Sequence, residues 1–283
     1  MTLAHPKRHV AVVFAAAGFL LLGIILVLGL WRPWAPLETP AAVAAGPTSN
    51  DVAPAPPSQL SLPDDPSVLV FGDSWTYGSA ATERALGYAY RFGALEGWRT
   101  TVDGIRGSGY LKPGVDGPDF GERMAALDPR LAPDLIVVQG SINDRHQDLS
   151  RYDAAVDAAW DTLEGMYPDA AVVVLGPAPQ VLPVEAPTAE IDERLARLAA
   201  ERGWPYISPV QEEWITEDDY ARLIDTSKLG ANHPSDAGHA YLAERLAAAV
   251  DAMTAPLQVE AAEPQVEPAA PVVSDVYEAP SAR

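Results

Sequence analysis

The sequence predicts an α/β domain built on a parallel, doubly wound sheet, and three observations predict it. Short runs of β-branched and apolar residues at 68–71, 135–138 and 171–175 are bounded by turn residues, which suits strands buried on both faces. Stretches of helical length separate these runs. Pro168-Asp169 and Gly203 stop two of the helical stretches where a return strand should begin. Alternation of this kind implies parallel strands joined by crossover helices.

In chain order, strand 68–71 runs into the turn Gly72-Asp73-Ser74-Trp75 and a helix over 83–98. A weaker strand at 100–102 leads to the glycine-rich segment 104–109. Tracts 109–114 and 116–120 read as a loop beside the sheet. Strand 135–138 precedes Gly140-Ser141-Ile142-Asn143-Asp144 and a helix over 151–166. Strand 171–175, a helix over 188–202 and a weak strand at 205–207 follow. In the last helix, 235–250, Ala237, Tyr241, Leu242, Leu246 and Ala249 recur at helical spacing and form one apolar stripe.

The flanks differ in composition. Residues 10–30 form an unbroken apolar and glycine stretch, long enough to span a bilayer, with Lys7 and Arg8 before it. The organisation expected is a cytoplasmic N-terminus (1–9), a transmembrane signal anchor (10–31), a Pro/Ala-rich linker (32–64), a catalytic domain (65–252) and a disordered Ala/Pro/Glu tail (253–283). A cleaved signal peptide ending near Ala41–Ala45 is the alternative. Both readings export the domain. The net charge of −20, from 39 acidic and 19 basic residues, argues against nucleic acid as a partner. With no cysteine there is no thiol nucleophile and no disulfide, and five scattered histidines suggest neither a metal centre nor a cofactor.

A serine hydroxyl needs an adjacent base to act as a nucleophile. Ser74 stands at a strand end, Asn143 follows a second strand, and His233, in Asn232-His233-Pro234, precedes the last helix. A nucleophile, an amide donor and a base, each at an element end, make a site. On these residues the sequence resembles the SGNH, or GDSL-type, hydrolases, a superfamily of esterases and lipases. Ser74 matches the nucleophile block, Gly107 the oxyanion glycine, Asn143 the asparagine block and His233 the histidine block, over about residues 69–250. The resemblance implies a three-layer flavodoxin-like fold with about five parallel strands. It also implies an acyl-enzyme on Ser74 and an oxyanion hole made by Ser74, Gly107 and Asn143.

One position departs from the family. Three residues before His233, where the family has aspartate, stands Gly230. Asp225, in the loop 223–230, is the first candidate to orient His233 in its place. A backbone carbonyl giving a Ser–His dyad is the second, and a weakened site the third. His239 is expected to pack within the last helix, and Asp73 to order the nucleophile turn. Trp75, Tyr77, Tyr110 and Trp160 invite sugar stacking, though aromatic residues beside a nucleophile more often pack. The function expected is an exported, membrane-tethered serine esterase acting on O-acyl or O-acetyl groups of glycans, or on lipid esters. An acyltransferase with the same intermediate, or a glycan-binding module that kept the fold, are the alternatives.

Overall fold

The computed structural model describes residues 59–255. The apolar run at 10–30 and most of the two flanks lie outside the described residues, among which no helix is long and apolar enough to cross a membrane. Five strands, β1 (Ser67–Gly72), β2 (Arg99–Gly104), β3 (Leu135–Gln139), β4 (Ala171–Leu175) and β5 (Tyr206–Ile207), form one parallel sheet in the order β2-β1-β3-β4-β5. This is the doubly wound order in which the chain turns outward from β1 in both directions. It leaves a crevice at the C-terminal ends of β1 and β3, where such sheets place their sites.

The two-residue alternation of the strands sorts the core into two layers. Val68, Val70, Leu135, Val137, Val173 and Leu175 face α2 (Tyr88–Glu96) and α7 (Asp236–Thr254). Leu69, Phe71, Ile136, Val138, Val172 and Val174 face α3 (Phe120–Ala125), α4 (Tyr152–Met166) and α5 (Ala186–Glu201). Residues 59–62, within the segment assigned to the linker, join the domain. Leu60 N–H donates to Met253 O at 2.9 Å, and Leu60 and Leu62 pack on the core.

The expected helix over 83–98 is divided. A 3₁₀ turn, Arg84–Leu86, precedes α2, and Gly87 between them is extended at φ −61°, ψ 147°. The reason is close packing: a Cβ on Gly87 would sit 2.9 Å from Gly78 Cα. The tract at 116–120 is not wholly loop. Asp119 accepts from Glu122 N–H at 3.0 Å as the N-cap of α3, and Phe120 buries edge-on to Phe71. A further helix, α6 (Glu217–Leu223), leads into a small antiparallel pair, β6 (Ile224–Asp225) with β7 (His233–Pro234). That pair carries His233 to the mouth of the crevice.

Gly104 marks where strand and site meet. A Cβ there would lie 2.2 Å from Tyr77 N and 2.6 Å from Tyr77 Cα, backbone atoms of the turn that bears Ser74. Gly104→Ala should therefore destabilise the domain by about 1–3 kcal/mol through forced backbone displacement. Gly165→Ala, in α4 with nothing within 4 Å of the added methyl, should stabilise it by about 0.5–1 kcal/mol. Urea denaturation of the pair checks this, and a Gly104→Ala protein as stable as the parent would refute the packing argument.

Candidate active site

Ser74 is the first residue of a single helical turn, α1 (Ser74–Tyr77), that starts as β1 ends. Asp73 caps the turn by accepting from Trp75 N–H at 2.9 Å, and Gly78 closes it in the left-handed conformation. Ser74, Trp75 and Thr76 are all buried, so the turn is held firmly in place. Ser74 Oγ is 2.9 Å from His233 Nε2.

The other ring nitrogen settles the tautomer. His233 Nδ1 lies 2.9 Å from Gly230 O, and the His233 backbone N–H donates to the same carbonyl at 3.0 Å. A carbonyl only accepts, so Nδ1 carries the hydrogen and Nε2 is left as the acceptor for the Ser74 hydroxyl. Ala231 and Asn232, at φ 49° and 60°, form the left-handed turn that aims Gly230 O back at the ring. Alanine in this region is strained by roughly 1–2 kcal/mol, and such strain gathers at functional sites. Burial lowers the His233 pKa, and the backbone bonds at Gly230 and Ala231 oppose that shift.

Asp225 does not take the orienting place. It pairs across β6–β7 with His233, yet its carboxylate accepts from Ser227 N–H at 2.9 Å, and the Ser227 side chain and then this N–H hold its pKa below the ordinary value. It also fills the space a side chain at 230 would need. A Cβ on Gly230 would stand 2.1 Å from Asp225 Cγ. An aspartate at 230 and this placement of Asp225 exclude one another, and the imidazole is held by main chain instead.

The segment after β2 supplies the opposite wall. Gly107 is left-handed at φ 73°, and its N–H meets no acceptor among the described residues. The next carbonyl, Ser108 O, accepts from Asn143 Nδ2 at 3.0 Å and from Ser141 Oγ at 2.8 Å, tying this segment to the turn after β3. One Asn143 amide hydrogen is thereby committed. The second makes only a long contact to Asp73 Oδ2, 3.4 Å away. Ser74, Asn143 and His233 are thus assembled at the crevice from the ends of β1, β3 and β7.

Three residues in this framework had no signal in the sequence. Arg123, 5% exposed on α3, donates to Gly72 O, Ser108 Oγ, and both Asp103 O and Oδ1, and its guanidinium lies 4.2 Å over Phe71. Asp144 accepts from Tyr110 N–H at 2.7 Å and Leu111 N–H at 3.0 Å, and burial raises its pKa to about 6. Gln139, with its amide turned to satisfy its neighbours, donates to Asp73 Oδ1 at 3.0 Å and accepts from Gly140 N–H at 3.2 Å. His239 is buried, accepting from Tyr88 N–H at 3.1 Å through Nδ1 and donating to Ser79 O at 3.0 Å through Nε2. Of the four aromatic residues, Trp75, Tyr110 and Trp160 are buried, with Trp160 Nε1 donating to Tyr110 OH, and Tyr77 alone borders the cleft.

A serine and a neutral histidine at the switch point of a parallel sheet define a serine hydrolase. A family model for the GDSL-like lipase/acylhydrolase family matches residues 70–241, more than half of the chain. The GDSL lipase Rv0518 of Mycobacterium tuberculosis is 31% identical over 192 residues, covering 64% of this chain and 79% of that protein. Among solved structures, a two-domain esterase (CEX) active on acetylated mannans has a TM-score of 0.54 at 21% identity, covering 73% of this chain and 53% of that one. A carbohydrate acetylesterase family member from Sinorhizobium meliloti has a TM-score of 0.52 at 14% identity, covering 66% and 98%. The chain belongs to the GDSL-like lipase/acylhydrolase family, and it is a serine ester hydrolase.

Burial pushes the Asp73 carboxyl up to about 7, although the Trp75 N–H bond and Arg123 pull it down. Its ordinary value is 3.8, so between pH 4 and 7 the folded protein holds a proton that the unfolded chain has released. This contribution to stability is full below about pH 4 and is lost as pH rises toward 7. His239, pushed down to about 4 by burial, acts with opposite sign in the same window. Asp73→Asn removes the first effect and keeps the second. The stability difference should move in favour of Asp73→Asn by on the order of 4 kcal/mol between pH 4 and 7, at about 1.4 kcal/mol per unit. Denaturation at each pH measures it, and a difference that stays flat would exclude a protonated Asp73.

Proposed function

We propose that the protein hydrolyses O-acetyl and other short O-acyl esters of glycans through an acyl-enzyme on Ser74, with His233 as general base in a Ser–His dyad. The observation that carries the reading is the line from Ser74 Oγ through the imidazole to Gly230 O, two contacts of 2.9 Å each. As Oγ bonds to the ester carbon, its proton passes to Nε2, and the Gly230 carbonyl stabilises the imidazolium through Nδ1–H. The lowered pKa keeps His233 neutral, and able to accept, somewhat below the ordinary histidine range. The oxyanion meets the N–H groups of Ser74 and Gly107 and the free amide hydrogen of Asn143. The leaving alkoxide then takes the proton from Nε2. Water, deprotonated by the same nitrogen, releases the acid and restores Ser74.

Glycan esters are favoured because the cleft beside His233 is bordered by Tyr77, Arg84 and Arg106, an aromatic face with hydrogen-bond donors beside it. The relatives active on acetylated mannans, or named carbohydrate acetylesterases, support the same class. Residues 10–31 serve as the tether, holding the domain outside the cytoplasm with Lys7 and Arg8 inside.

Ser74→Ala should leave less than a few per cent of p-nitrophenyl acetate turnover with unchanged circular dichroism. Asn143→Ala should lower kcat by about 10²–10³ with little change in KM. An effect of Asn143→Ala confined to KM or to thermal stability would remove its amide from the oxyanion site.

Asp225→Asn separates the dyad from a triad. Loss of the orienting aspartate costs about 10⁴ in kcat in serine proteases. Here the carbonyl already holds the ring, and the expected loss is less than about tenfold. A loss near 10⁴ would return Asp225 to the site.

The tether is tested by topology. A periplasm-dependent reporter fused after residue 255 should be active and stay in the membrane fraction. A reporter active only in the cytoplasm would overturn the export reading.

A further inference from the structure

We infer that the cleft beside His233 is the alcohol subsite, and that Arg84 and Arg106 select esters whose alcohol carries an anionic group, a carboxylate or a phosphate. The inference rests on the acyl-enzyme reading. In that chemistry the proton taken from Ser74 is handed by Nε2 to the leaving oxygen, so the alcohol lies in the space the imidazole faces. That space is a cleft of about 460 Å³ with His233 and Leu229 on one side and Tyr77, Arg84 and Arg106 on the other. Gly107 and Asn143, which face the oxyanion, do not border it.

The two guanidinium groups converge on one ring. Arg84 Cζ lies 4.3 Å from the Tyr77 centroid and Arg106 Cζ lies 5.4 Å from it. Tyr77 ends the helical turn that Ser74 begins, so the ring that both cations approach belongs to the turn that carries the nucleophile. Arg84 is positioned further by its own turn, in which Gly87 N–H donates to Arg84 O at 3.0 Å against Gly78. Arg106 is partly balanced, since its Nε and Nη2 both donate to Asp116 Oδ2. Arg84 has no ion pair among the described residues, and it is exposed. In a chain with 39 acidic and 19 basic residues, two cations at the mouth of one cleft reverse the prevailing sign. Of the acidic groups nearby, Asp116 is paired with Arg106 and Asp236 accepts from Thr82 N–H and Oγ1, while Glu83, next to Arg84 in the chain, is exposed. A planar guanidinium fork matches carboxylate and phosphate oxygens, and a neutral hydroxyl uses that match poorly.

The test compares kcat/KM of the full-length protein on 4-acetoxybenzoate and on its neutral amide, 4-acetoxybenzamide. The anionic ester should be favoured by about five- to tenfold at low salt, and the preference should collapse toward unity in 0.5 M NaCl. Arg84→Gln should abolish the preference and Arg106→Gln reduce it, the ratio within each variant being the readout. A second pair of arms separates the sources of the anion: O-acetylated glucuronate against O-acetylated glucose, and acetylated glycerol phosphate against acetylated glycerol. A wild-type ratio at or below one, or a ratio indifferent to Arg84→Gln, overturns the inference while leaving the esterase intact. Should no ester be turned over, titration of the Ser74→Ala protein with 4-hydroxybenzoate and 4-hydroxybenzamide decides it. Arg84-dependent binding of the acid alone upholds the anion subsite and removes the esterase reading, and equal or absent binding overturns the subsite.

Discussion

The site depends on one buried cation. Arg123 reaches from α3 to the last carbonyl of β1, to the backbone and carboxylate of Asp103 on β2, and to the hydroxyl of Ser108 beyond Gly107. A guanidinium withdrawn from water is unfavourable unless its donors are met by acceptors of good geometry. Here those acceptors lie at the C-terminal ends of β1 and β2 and on the segment that follows β2. The bonds from the two Nη atoms of Arg123 therefore bring the nucleophile turn and the segment around Gly107 into one frame, while Nε is left without a partner among the described residues. Its charge also opposes the burial of Asp73, which would sit at a still higher pKa without it.

Around that frame the polar groups are linked in series. Asp73 orders the turn of Ser74, Gln139 holds Asp73, and Thr76 bridges Gln139 to the Tyr88 hydroxyl. His239 joins Tyr88 to Ser79 just after the same turn. On the other side Asp144 anchors the backbone at Tyr110 and Leu111, while Ser141 and Asn143 share Ser108 O. Most of these buried side chains find partners that are themselves part of the site, while Trp75 Nε1, Ser79 Oγ and Arg123 Nε find none among the described residues. Ser74 Oγ and His233 Nε2 are paired with each other within this framework, and the Gly107 N–H has no acceptor among the described residues.

The histidine is oriented by main chain. An aspartate beside an imidazole supplies a full charge to the imidazolium, whereas a carbonyl supplies a dipole and fixes the tautomer with less electrostatic help. The left-handed pair Ala231 and Asn232 turns that carbonyl inward, and Asp225 occupies the volume that a side chain at 230 would claim. The domain thus trades a charged partner for one that needs no ionisation, consistent with a histidine whose pKa falls with burial.

The alternation of strands and helices was legible in the sequence because buried parallel strands need continuous apolar runs, and these stand out at 68–71, 135–138 and 171–175. Ser74, Asn143 and His233 were legible for a related reason: each sits at the end of such an element, where a parallel sheet gathers its loops. The break at Gly87 and the short α3 were not, since one answers to a contact with Gly78 and the other to the burial of Phe120 on Phe71. Nor was the partner of His233, because a backbone carbonyl carries no residue signature and its direction is set by two φ angles. Asp225 and Arg123 make the same point from opposite sides. Local sequence fixes which side chains are available and near which strand end they fall. Only the closing of separate segments on one another decided that the Asp225 carboxylate bonds Ser227 instead of His233 and that a distant guanidinium lies at the centre.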